Sequence, residues 1–110
     1  MVKEPLFTVH WSLHARANLK DIYDYIKTDS PQNAIKVVGK MVRLSMSLSY
    51  LPFRYAECPE LPTKNKIYRK VNYASYKIVY RVKRSRVEIL SIFHSSKNPE
   101  KLKALRKVKA

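Results

Sequence analysis

Glycine and cysteine are almost missing from this sequence: Gly39 and Cys58 are the only examples in 110 residues. A lone cysteine excludes an intramolecular disulfide and a thiolate zinc cluster, and it reads as a small loop residue. A single glycine cannot build a glycine-rich phosphate cradle, so nucleotide cofactors are not expected and no other cofactor is implied. Nor is there an apolar run approaching the roughly 20 residues that span a bilayer. The first ten residues lack the basic start and apolar centre of a signal peptide. A soluble, cytoplasmic protein with no membrane partner is therefore expected. Acidic residues are scarce as well, eight against 23 Lys and Arg, which leaves a formal charge of +15. Self-repulsion of this size weakens a compact state and invites an acidic partner.

What is present suffices for one hydrophobic core. Hydrophobic residues make up 45% of the chain, against disorder, and the length is too short for two ordinary cores, so residues 1–110 read as a single domain. The charge is unevenly spread. Residues 1–63 hold eight Lys/Arg and six Asp/Glu, about +2, whereas residues 64–110 hold fifteen and two, about +13. Solvated charge alone can account for a basic protein, but the asymmetry favours a functional face in the second half.

Hydrophobic periodicity supplies the elements. Phe7, Val9 and Trp11 alternate with polar residues, as in a half-buried strand. Ser12 can cap a following helix whose apolar face is Ala15, Leu19, Ile22 and Ile26. Ser30–Pro31 marks the start of a second helix, with Ala34, Val37, Val38, Met41, Leu44 and Leu48 on one stripe; the short link implies an antiparallel helical hairpin. Residues 52–65, with Pro52, Pro59 and Pro62, read as a loop. Ile67–Val71, Tyr76–Val82 and Arg86–Phe93 are rich in β-branched and aromatic residues and read as a three-stranded antiparallel meander. Asn98 and Pro99 can open a short C-terminal helix. The order gives an α+β fold, a helical hairpin packed on one face of an antiparallel sheet.

With those elements in place, the residues resemble a known family over nearly the whole chain. The points of likeness are Val9 and Trp11, the helix stretch from Ala15 through Asn18 and Leu19 to Ile26, Ser30–Pro31 with Ala34, and Leu51–Pro52 with Arg54. They continue with Tyr68–Arg69–Lys70, Tyr76 to Val82, Ile89 to His94, then Lys97, Asn98 and Pro99. In this order and spacing the sequence resembles the RelE/ParE superfamily, toxins of type II toxin–antitoxin modules that include plasmid stabilisation proteins. The resemblance implies the RelE-like fold, and a growth-inhibiting toxin silenced by a short acidic antitoxin. It also implies one of two targets, ribosome-bound mRNA cut by a RelE-like, metal-independent endoribonuclease, or DNA gyrase poisoned by a ParE-like protein without catalysis of its own. The helix pattern and the strand ending in His94 look more like ParE, whereas Lys97 stands where ParE-like sequences usually carry arginine.

Cleavage through a ribose 2′-hydroxyl needs a base, an acid and cations around one phosphate. The candidates are Arg69, whose guanidinium can clamp phosphate bidentately, Arg81 as second choice, and His94, the only histidine in the basic half. Each has a bland counterpart: a solvated strand charge for the arginines, a buried structural histidine for His94, whose strand parity matches Leu90 and Ile92. The three are expected on neighbouring strands around one phosphate. Arg54, Lys70, Tyr76 and Lys97 are candidates for contact with target or nucleic acid, with Tyr76 suited to base stacking. His10 and His14 lack partners at metal-ligand spacing and read as structural. Two further readings stay open: a plain nucleic-acid-binding module, for which the basic half would suffice, and a non-catalytic antitoxin-binding member of the family.

Overall fold

The computed structural model describes residues 7–58 and 68–95. Strand β1 (Thr8–Trp11) leads into helices α1 (Leu13–Lys27) and α2 (Pro31–Ser47), then a 3₁₀ turn at Pro52–Arg54. Strands β2 (Tyr68–Tyr73), β3 (Tyr76–Lys83) and β4 (Arg86–His94) follow. The start of the expected second strand at Ile67, the expected C-terminal helix and Lys97 lie outside the described residues. No described helix is long and apolar enough to cross a membrane.

Both helices start where the side chains dictate. Ser12 Oγ accepts from Ala15 N at 2.9 Å, and Ser30 Oγ accepts from Asn33 N at 3.1 Å, satisfying donors that the first turn leaves orphaned. Pro31 stands at the first turn of α2, where its missing N–H costs nothing.

The strand order is β1-β4-β3-β2. The meander is antiparallel as its periodicity predicts, but β1 runs parallel to β4, so the sheet is mixed rather than wholly antiparallel. The physical reason lies in the connection. No tight turn joins β1 to β4, and a parallel pair needs a crossover of a dozen or more residues, which the helical hairpin and the first two meander strands supply. The helices cover one face, where Ala15, Ile22, Met41 and Leu48 pack against Val71, Ile78, Tyr80, Val82, Val87, Ile89 and Ile92. A smaller cluster on the opposite face gathers Cys58, Tyr68, Val79 and Leu90, so Cys58 is a buried core residue.

Leu90 belongs to that second cluster because the β3–β4 register shifts between Val79 and Tyr80: Val79 faces Ser91 and Tyr80 faces Ile89. Leu90 is the extra residue of a β-bulge, and the alternation of β4 reverses there. Strand parity placed Leu90 on the face of Ile92 and His94; the bulge moves it to the other one. Asn18 on α1 serves the irregularity, since its Oδ1 accepts from Ile92 N at 3.1 Å and from Ser91 Oγ at 3.0 Å.

Two hairpin turns are built without glycine. Ala74 and Arg84 occupy the first loop positions of the β2–β3 and β3–β4 turns with φ of 52° and 57°. An L-residue in this region costs about 1 kcal/mol that glycine avoids. Ala74→Gly and Arg84→Gly should each stabilise the protein by up to about 1 kcal/mol, a rise of roughly 4 °C in Tm. Thermal melts check this, and a fall in both would show that the entropy of the unfolded chain outweighs the relief of strain.

Candidate functional site

Arg69 sits on β2 opposite Tyr80 of β3, on the face that the helices cover. The two side chains act together on the segment after α2. Arg69 Nη1 donates to Tyr55 O at 2.6 Å and to Phe53 O at 3.2 Å, with its guanidinium carbon 5.2 Å from the Phe53 ring centre. The Tyr80 hydroxyl donates to Pro52 O at 2.5 Å. Leu51, just before this segment, is held in the left-handed region at φ 50°, a strained state that persists only where its surroundings determine it. Arg54 lies alongside, stacked 5.1 Å from the Tyr55 ring centre, with Nη2 donating to Ser47 Oγ at 2.9 Å. Arg69 Nε is buried with no hydrogen-bond partner.

Arg81 extends from the opposite face, because it is the neighbour of Tyr80 along β3 and strand side chains alternate. Its partner is Glu88, directly across on β4: Arg81 Nε donates to Glu88 Oε1 at 2.6 Å, and Nη2 closes an ion pair with the same oxygen. The two side chains are only 17% and 11% exposed, and Arg86 Nη2 approaches the other carboxylate oxygen at 3.8 Å. Burial works against the Arg81 charge, but hydrogen bonds to Glu88 and Tyr68 outweigh it and hold its pKa above the ordinary value. This guanidinium is a fixed cation, not a proton donor.

His94 ends β4 paired with Tyr76, the two rings edge-to-face with centres 5.6 Å apart. In register Tyr76 lies four residues from Tyr80 along β3, about 13 Å at strand spacing. The three residues expected around one phosphate are therefore not brought together: Arg69 and Arg81 extend from opposite faces, and His94 lies at the far end of the strands. Lys70 is half-buried on the face of Arg81, opposite Val79, and its backbone N–H donates to Ala56 O at 3.2 Å. Among the described residues no group of three or more His, Cys, Asp or Glu is placed to hold a metal.

Sequence reasoning passed over Glu88. The signal was available, since it is one of two acids in residues 64–110 and stands within an otherwise apolar strand, where a carboxylate needs a partner. The clamp on Pro52–Tyr55 had no such signal, because its acceptors are backbone carbonyls.

The mixed four-stranded sheet with a helical hairpin on one face is the fold of RelE/ParE toxins. At TM-score 0.65 and 24% identity it is similar to a protein of the chromosomal ParDE toxin–antitoxin system from P. aeruginosa, over 83% of this chain and 98% of that one. At TM-score 0.58 and 21% identity it is similar to a chain of the RelBE2 toxin–antitoxin complex from Mycobacterium tuberculosis, over 84% and 94%. No curated protein matches the sequence. The family model for the ParE toxin of the type II toxin–antitoxin system parDE matches residues 9–99. The chain belongs to that family, the ParE toxins.

Two measurements separate structural from chemical roles here. Arg69→Ala removes two hydrogen bonds to carbonyls and should destabilise the fold by about 1–3 kcal/mol, so lower toxicity in that variant has to be read against its Tm. Burial pushes the Tyr80 hydroxyl above its ordinary pKa of 10.0, so the folded state favours the neutral form. That contribution is whole below pH 10 and is lost as pH rises beyond it towards the folded-state value. Tyr80→Phe should be less stable at neutral pH by about 1 kcal/mol and lose less stability above pH 10 than wild type. Parallel losses in the two proteins would show that Tyr80 is not the group responsible.

Proposed function

We propose that this ParE toxin arrests growth by binding DNA gyrase, without cutting ribosome-bound mRNA, and that a small acidic antitoxin silences it. The observation that carries this reading is the dispersal of Arg69, Arg81 and His94. Transesterification through a 2′-hydroxyl needs its base, acid and cations within hydrogen-bond reach of one phosphate. Here Arg69 holds backbone carbonyls and Arg81 holds Glu88. A protein that blocks an enzyme by docking needs neither proton transfer nor a cofactor, only a complementary surface. The antitoxin is supported by the charge of +15 and by the two structural neighbours, which come from toxin–antitoxin systems. Such a toxin acts in the cytoplasm.

Purified wild-type protein should inhibit gyrase supercoiling, with the block relieved by the antitoxin, while mRNA on programmed ribosomes stays intact. Cleavage of ribosome-bound mRNA with supercoiling unaffected would overturn the proposal. Arg69→Ala and His94→Gln, tested in that cleavage assay, would then show whether those residues carry it.

A further inference from the structure

Helix α2 has a second apolar stripe that points away from the core. Ile35 is 63% exposed, Val42 37% and Met46 54%. With Gly39 these residues follow the spacing four, three, four, so they share one face of the helix over about 16 Å. Gly39 is the only glycine in the chain, and nothing in the fold requires it. Its φ is not positive, and an added Cβ would meet only the flexible tip of Arg43 at 3.4 Å. A mid-helix glycine costs roughly 0.5–1 kcal/mol relative to alanine. What a missing Cβ provides at the middle of an exposed apolar stripe is close approach of another backbone.

Beside the stripe runs a row of cations. Lys36, Lys40 and Arg43 each follow a stripe residue by one position, and α2 contains no acidic residue. Among the described residues none of the three has an ion-pair partner. A second copy of this chain would bring the same cations against them, so self-association through this face is opposed.

We propose that the outer face of α2 docks an amphipathic helix of the acidic antitoxin, about three turns long, crossing closest at Gly39. Its apolar side covers Ile35, Val42 and Met46, and its acidic flank meets Lys36, Lys40 and Arg43. This rests on the reading of the chain as a toxin held by an acidic protein, and it names the surface that does the holding.

The test uses the full chain and its antitoxin, sought as a short acidic protein in the adjacent reading frame, with affinity measured by calorimetry. Val42→Glu and Gly39→Leu should each weaken binding at least 30-fold. The combined change Lys36→Glu, Lys40→Glu and Arg43→Glu should weaken it at least tenfold and flatten its dependence on salt. Leu13→Glu, at a still more exposed apolar position on α1, should bind as wild type does. Gly39→Ala guards against misfolding, since it should raise the Tm by a few degrees through helix propensity and yet bind more weakly. Wild-type affinity in the α2 variants would overturn the docking surface and leave the toxin reading intact. Failure of the wild-type chain to bind an acidic protein at all would overturn both.

Discussion

The structure depends on how α1 is fastened to β4. Ser12 caps α1 through Ala15 N and at the same time donates its hydroxyl to Leu90 O at 3.0 Å. Two turns on, Asn18 Oδ1 accepts from the Ile92 N–H, past Ile89 where the pairing of β1 with β4 ends. β4 in turn has β1 on one side and β3 on the other. Fixing the helix to this central strand therefore fixes the sheet, the hairpin and the covered face together. Each bond is worth about 1 kcal/mol net, but an unmade one in a buried strand costs up to about 3, and that asymmetry makes the junction specific.

Once the sheet is set, three of its arginines are committed. Arg81 and Arg86 converge on Glu88, and Arg69 is held by two carbonyls and an aromatic ring. A strand arginine in this fold therefore has a structural reading beside a chemical one. It can as readily be a tie between layers, with a planar fork suited to two carbonyls as well as to one phosphate.

Most of the architecture was legible because it rests on local rules. Ser12 and Ser30–Pro31 announce helix starts by capping chemistry, and Arg86–Phe93 differs from the observed strand by one residue. The parts that were not legible are non-local. The parallel pairing of β1 is set by a crossover, and the bulge at Leu90 puts that residue on the face opposite to the one that strict period two assigns it. The candidate site suffered most. Arg69 and Arg81 differ by an odd step in paired register, so two adjacent strands present them on opposite faces, which spacing within either strand cannot reveal. Their acceptors, a loop without periodicity and a single acid, complete arrangements that only the fold assembles.

The two layers of the molecule thus differ in how their charge is used. In the sheet, the arginines first singled out meet acceptors within the chain, and that fixes their positions. On α2 the cations have no acceptor within the helix, and they accompany apolar side chains that the core does not need. Uncompensated charge next to uncovered apolar surface is unfavourable for an isolated protein on both counts. The same partner can relieve both if it is acidic and amphipathic. For a chain whose toxicity must be held in check by another protein, the helical layer is the surface on which such control can be exerted without disturbing the ties that hold the sheet.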